Sequence, residues 1–211
     1  MARTRANDYD EKRRAILNRS AELFAAHGYD RASMSKIAEA CGVSKANLYH
    51  YYKDKEELLF DVIRFHLEEL LEVVEAADRP ELSPEPRLKE LIAALLEAYR
   101  DADAQHNVQI NGLRLLPAER QIELKAMERD LVRLFSGAVA GVAPQLERTK
   151  LLKPVTMSLF GMINWHYLWF KSTGEVSRAD YAELVAQLII DGTRNLQAQQ
   201  FGAARHAKAA E

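Results

Sequence analysis

SMSKIAEACGVSKANLYHYYKDK, residues 33–55, reads as a short helix, a glycine turn and a second short helix. Ser33 has the side-chain oxygen to cap the first helix, and Ile37, Ala38 and Cys41 then fall on one helical face. Gly42 can take the left-handed conformation that ends that helix, Val43 can fill the angle between helices, and Ser44 can cap the second. Lys45, Asn47, Tyr49 and His50 place cationic, amide, hydroxyl and imidazole groups within two turns, while Leu48 and Tyr52, four apart, hold the helix to a core. A short helix anchored on one side and polar on the other suits the major groove of duplex DNA, so the stretch predicts a helix-turn-helix.

Charge is distributed in keeping with that reading. Residues 1–55 hold eleven Lys or Arg against seven Asp or Glu, a balance of 11 − 7 = +4, and the whole chain carries −2, leaving −6 for the remainder. A basic head on an acidic body fits a protein that meets DNA at one end, although scattered surface charge gives the same sums. The 211 residues suffice for one or two domains with a buried core. Apolar residues make up 48% and charged residues 28%, which argues against disorder. Nine Gly and six Pro favour long helices over a turn-rich β fold. There is no apolar run of about eighteen residues and no signal peptide, so a cytoplasmic protein without a membrane partner is expected. The single Cys41 excludes an internal disulfide and a cysteine zinc site, and its expected role is a small apolar contact.

Outward from the motif, residues 1–7 are expected to form a mobile arm whose Arg3 and Arg5 either reach DNA or belong to a frayed terminus. A helix follows from about residue 8 to 27, with Ile16, Leu17, Ser20, Leu23, Phe24 and His27 inward, Gly28 stopping it and Tyr29 folding back on its last turn. Asp54 and Glu57 have capping-box spacing for a long helix running to about residue 77, and residues 78–86, DRPELSPEP, break it. Beyond lie helices expected at about 87–104, 109–116, 118–140, 147–171 and 177–200. Pro154 either kinks the fourth of these or marks its true start. No strand-type alternation persists, so the chain is read as all-α.

The run AxLFxxxGYDxxSMxxIAxxCGVSKxNLYxYYKxKEELL, within residues 16–59, resembles the N-terminal domain of the TetR family of bacterial transcriptional regulators. Residues 203–211 are read as a disordered tail. The resemblance implies an N-terminal three-helix helix-turn-helix DNA-binding domain over residues 1–54 and a C-terminal helical ligand-binding and dimerisation domain over 55–202. It also implies that Ser33 and Ser35 hold phosphates, that Ser44, Lys45, Asn47, Tyr49 and His50 belong to the recognition helix, and that Lys55 meets phosphate. Lys45 and His50 are assigned to base edges; Tyr49, Tyr51 and Lys55 are assigned to the DNA backbone. Where the family's commonest form reads Tyr-Tyr-His-Phe, this chain has Tyr49, His50, Tyr51 and Tyr52. The imidazole is moved by one place, about 100° around the helix, and Tyr51 stands where the family's histidine usually sits.

Residues 151–196, with LFGMINWHYLWFK and ADYAELVAQLIIDG, are similar to TetR regulators of fatty-acid, aromatic-acid or steroid breakdown, which often respond to acyl-CoA thioesters. Family bodies usually hold a small-molecule cavity, for which Phe65, Tyr99, His106, Leu113, Arg114, Phe160, Asn164 and Trp165 are the candidate lining groups. Each of these side chains taken singly is more often ordinary core than a ligand contact. His106 and Arg114 would suit a carboxylate or phosphate on the ligand. The last two long helices are expected to form a homodimer interface through Met157, Phe160, Ile163, Asn164, Tyr167 and Leu168 on one, and Tyr181, Leu184, Val185, Leu188, Ile189 and Leu196 on the other. Closure of the monomer's own core is the alternative use of the same faces.

The expected function is a ligand-responsive regulator, a repressor that binds a palindromic operator as a dimer and is released by a small molecule, an acyl-CoA thioester among the candidates. An activator, a non-CoA ligand, or a helical interaction module without DNA binding are the alternatives. No HExxH, GxSxG, Walker A or GxGxxG pattern is present, and the six His show no i, i+4 pair. No catalytic residue, cofactor or metal is therefore assigned. Asp30 and Arg31 carry no readable role.

Overall fold

The computed structural model describes residues 2–196, with side chains from Tyr9 onward. Among these residues it contains nine α-helices and no strand: α1 Ala2–His27, α2 Met34–Ala40, α3 Lys45–Tyr51, α4 Lys55–Ala77, α5 Pro84–Ala98, α6 Asp103–Gly112, α7 Ala118–Val142, α8 Leu152–Asn164 and α9 Arg178–Arg194. They fold as two compact units. One comprises the chain to Glu69 with Arg100–Glu128, the other Leu70–Tyr99 with the chain from Arg129, so that α4 and α7 contribute to both.

In the first unit, Ile16, Leu17 and Phe24 of α1, Ile37 of α2, Leu48 of α3 and Leu59, Ile63 and Leu67 of α4 form one buried cluster. Each such side chain contributes about 1.5–3 kcal/mol on burial. Outside this core, Arg13 of α1 pairs with Asp61 of α4 at 2.6 Å, Arg64 joins the same carboxylate at 3.2 Å, and the Arg14 guanidinium lies 5.1 Å from the Phe65 ring. Tyr52 is buried beside the Arg13–Asp61 pair; burial, then the Asp61 charge, pushes its phenol above the ordinary tyrosine range. In the second unit, Leu88, Leu91 and Leu95 of α5, Phe135 and Val139 of α7, Phe160 and Ile163 of α8 and Val185 and Ile189 of α9 form the core. Phe135 and Phe160 meet edge to face at 5.1 Å.

Several boundaries depart from the sequence expectation. α1 begins at Ala2, so residues 2–7 are helical turns, not an arm; their side chains, Arg3 and Arg5 included, lie outside the described residues. α5 begins at Pro84, because proline at a first helical position loses no hydrogen bond and is already set at a helical φ. α5 ends before Tyr99, and Asp101 then takes φ 60°, a left-handed turn that aspartate tolerates better than most side chains. That break moves α6 forward to Asp103–Gly112, with a 3₁₀ turn at Leu113–Leu115. Pro154 sits in the first turn of α8, which starts at Leu152 and not at 147, and stops at Asn164 before a 3₁₀ turn at His166–Leu168. α9 ends at Arg194; the expected continuation past Leu196 and the tail 203–211 lie outside the described residues.

His66 of α4 and His106 of α6 are both buried in the first unit, their rings edge to face at 5.9 Å. Burial, then the neighbouring His106, lowers the His66 pKa from 6.5 to about 3. The unfolded chain therefore binds the proton first, and stability present above pH 6.5 drains away as pH falls toward 3. One such proton gives a slope of about 1.4 kcal/mol per pH unit. Urea titrations from pH 7 to 5 should show a correspondingly shallower slope for His66→Gln than for the unsubstituted chain; equal slopes would contradict the assignment.

Candidate nucleic-acid interface

The helix-turn-helix is built by local capping chemistry. Ser33 accepts from the Lys36 amide at 3.3 Å and starts α2. At its end Gly42 has φ 65°, its amide donates to the Glu39 carbonyl, and the Val43 amide reaches back to the Ala38 carbonyl, each at 3.0 Å. This paired closure satisfies two carbonyls that the helix leaves open and turns the chain sharply into Ser44. Ser44 accepts from the Asn47 amide at 3.1 Å and starts α3. Asp54 accepts from the Glu57 amide at 2.8 Å while the Glu57 carboxylate accepts from the Lys53 amide at 2.9 Å, a reciprocal cap that starts α4. α1 closes at Gly28, φ 79°, with Tyr29 folded back so that its ring lies 5.5 Å from Phe24.

Two faces of α3 are thereby fixed. Leu48 is 0% exposed and Tyr52, just past the helix, is buried with it. Ser33, Ser35, Ser44, Lys45, Asn47, Tyr49 and His50 are exposed, Tyr49 at 44%. The Lys45 ammonium lies 5.8 Å from the Tyr49 ring centroid, which presents the two together. Tyr51 is half-buried: its ring stacks on Tyr9 of α1 at 4.8 Å, and His50 stands edge-on to it at 5.9 Å. Nothing in the sequence around Tyr9 marks a partner on a distant helix, so its place on this surface is visible only in the fold.

Lys55, the remaining residue of the expected set, is half-buried. Its ammonium donates to the Tyr29 carbonyl at 2.7 Å and the Asp30 carbonyl at 3.4 Å and lies 4.1 Å from the Tyr29 ring centroid. It ties the start of α4 to the exit of α1. Cys41 is half-buried against the core; burial raises its thiol pKa, opposed by Arg19, so it stays a neutral thiol.

The candidate ligand residues divide between the units. Phe65, His106, Leu113 and Arg114 belong to the first, where Phe65 is occupied by Arg14, His106 is buried, Leu113 is half-buried and Arg114 is exposed. Tyr99, Phe160, Asn164 and Trp165 belong to the second: the buried Tyr99 hydroxyl donates to Asn164 Oδ1 at 2.9 Å, Phe160 packs on Phe135, and Trp165 is exposed. The expected interface faces also divide. Phe160, Ile163, Tyr181, Val185 and Ile189 close the second unit's own core, whereas Met157, Leu168, Leu184 and Leu188 stay exposed. Among the described residues no helix is long and apolar enough to cross a membrane, and no group of three or more His, Cys, Asp or Glu is placed to hold a metal ion.

Residues 16–62 match the family described as bacterial regulatory proteins, tetR family, and residues 81–193 match the tetracyclin repressor-like C-terminal domain. The HTH-type transcriptional regulator RutR of Escherichia coli K12 is 31% identical over 150 residues, which are 67% of this chain and 70% of RutR. A crystal structure of a TetR-family transcriptional regulator from Bordetella parapertussis is 36% identical, with a TM-score of 0.80 over 87% of this chain and 96% of that one. AibR, solved in complex with isovaleryl coenzyme A and operator DNA, is 27% identical, with a TM-score of 0.73 over 84% of this chain and 97% of its own.

Proposed function

This chain belongs to the TetR family of bacterial regulatory proteins, non-catalytic DNA-binding transcriptional regulators, and from that premise we propose that it is a ligand-released repressor acting as a homodimer on a palindromic operator. The observation that carries the reading is the two-sidedness of α3: a fully buried Leu48 beneath, and Lys45, Asn47, Tyr49 and His50 exposed above. Such a helix enters the major groove with its polar face toward base edges. In this reading residues 1–54 form the DNA-binding part and 55–202 serve ligand and partner. Lys45, Asn47 and His50 address bases. Ser33, Ser35, Ser44, Tyr49, Tyr51 and Lys55 address backbone phosphates, Lys55 from the position its tie to Tyr29 and Asp30 gives it.

One short helix makes too few contacts to specify an operator, so two copies reading successive grooves about 34–36 Å apart are required. The exposed Met157, Leu184 and Leu188 of α8 and α9 supply the apolar surface for that pairing. Ligand and DNA then select different spacings of the two heads. The likeness to AibR favours an acyl-CoA thioester as ligand, with Tyr99, Phe160, Asn164 and Trp165 the candidate contacts in the second unit. Where the operator lies relative to a promoter decides repression against activation. The setting is the cytoplasm, where the operator is.

Salt-dependent binding to a selected operator and to unrelated duplexes separates the roles. Tyr49→Ala and Lys55→Ala should each weaken binding on all sequences by a similar factor, whereas Lys45→Ala should cost about 1–3 kcal/mol at one base position and relax preference there. Unchanged affinity in both Tyr49→Ala and Lys55→Ala would remove this face from the DNA. CoA thioesters that neither shift the melting temperature nor release DNA would dispose of the acyl-CoA assignment.

A further inference from the structure

Within the first unit, a cavity of about 540 Å³ opens where the exit of α1 faces α4, α6 and the turn at Leu113–Leu115. Phe24, Leu59 and Val108 give it apolar lining, and Arg31 and Arg114 are both part of its wall. Asp30 is the sole carboxylate in the lining, so the lining is net positive. Both arginines are exposed, and neither reaches a carboxylate among the described residues, whereas Arg13 and Arg64 of the same unit both sit on Asp61. Two guanidinium groups left without a carboxylate beside an apolar hollow form a site for an anion that carries an apolar body.

The cavity also touches the joints that seat the helix-turn-helix. Tyr29 and Asp30, whose carbonyls hold the Lys55 ammonium, are part of its wall, and Ser33, the cap of α2, follows Arg31 by two residues. On the opposite wall Leu59 of α4 lies so close to Gly112 of α6 that a Cβ there would sit 3.2 Å from Leu59 Cδ1. An occupant therefore bears at once on the α1–α2 connection and on the α4–α6 contact. We propose that this cavity is an effector site for small amphipathic organic anions, carboxylates or phosphate monoesters, gripped by Arg31 and Arg114, and that occupancy changes how the α1–α2 connection is seated. Its effect on DNA rests on the regulator reading above; its binding chemistry does not. The site is separate from the Tyr99, Phe160 and Asn164 group of the second unit.

The test uses the full chain without DNA and three probes of one chain length: octanoate, octyl phosphate and neutral octanol. Calorimetric titration should show one or both anions binding at least about tenfold more tightly than octanol, a difference of about 1.4 kcal/mol. Arg31→Gln with Arg114→Gln should remove that advantage while leaving octanol binding and the melting temperature unchanged, since both side chains are exposed. An octanoate response without an octyl phosphate response assigns the head group as carboxylate, and the reverse assigns it as phosphate. Absence of anion binding, or equal anion binding in the double variant, would overturn the site. A second arm adds a selected operator: the bound anion should release DNA from the unsubstituted chain and not from the variant. Anion binding with no change in operator affinity would overturn the coupling, while failure to recover any operator would count against the regulator reading and leave the titration standing.

Discussion

Leu184→Glu combined with Leu188→Glu should convert a dimer of about 48 kDa into monomers of 24.0 kDa and lower operator affinity by at least about two orders of magnitude. The two leucines stand four apart on α9, 50% and 53% exposed, while their neighbours Val185 and Ile189 are buried in the second unit's own core. The substitution therefore leaves the core intact and acts on the outer face alone. In a two-fold interface each carboxylate is repeated by the partner, so four charges enter a surface that must be desolvated for pairing. A stable dimer needs about 1,200–2,000 Å² of buried surface, and charged residues are depleted from the centre of such surfaces. Sedimentation velocity and circular dichroism would be measured together. Monomers with unchanged helicity are the expected result; a variant that still sediments as a dimer would place the interface elsewhere.

Phe135→Ala should remove about 3–5 kcal/mol from the stability of the second unit. Phe135 is fully buried on α7, faces the Phe160 ring at 5.1 Å and lies among Leu88, Leu91, Leu95 and Val185. The residues around it come from three other helices, α5, α8 and α9, so they cannot collapse onto an alanine without moving helix against helix, and most of the cavity persists. At roughly 2–4 °C per kcal/mol for a chain of this size, the transition should fall by about 6–20 °C. Ile122→Ala, at an exposed position of α7, is the control and should stay within about 0.5 kcal/mol. A Phe135 variant that melts with the Ile122 variant would contradict the packing described for this unit.

What the sequence made legible was the chemistry that is local. Ser33, Gly42, Ser44 and the Asp54–Glu57 pair act within a few residues of themselves, and each performs the capping its type predicts. Leu48 and Tyr52 likewise announced a buried side of α3 by spacing alone. Boundaries failed where the deciding feature was conformational. The early start of α5 turns on proline tolerance at a first helical position, and the shift of α6 on a left-handed Asp101 that no residue pattern marks. The surface was less legible than the core. Helical spacing cannot say which helix a face will meet: it shows one wide apolar face on each of the last two long helices, where the structure has a buried side, with Ile163 and Val185, and an exposed side, with Leu184 and Leu188. Tyr9 against Tyr51, Lys55 against the Tyr29 carbonyl, and Arg31 and Arg114 around one cavity all join positions far apart in the chain, which only the fold brings together.

On the reading proposed above, α3 reads DNA as one half of a symmetric pair. Selection of bound sequences from random duplex DNA, with the full chain at physiological salt and in parallel with a pool of CoA thioesters, tests it most directly. The expected result is an enriched palindrome whose half-sites lie one helical turn or a multiple apart, lost when an effective thioester is present. An enriched palindrome indifferent to the pool would keep the operator and the dimer and discard the thioester. Recovery of no enriched sequence would contradict the claim at its root, because the exposed face of Lys45, Asn47, Tyr49 and His50 would then have no duplex to read.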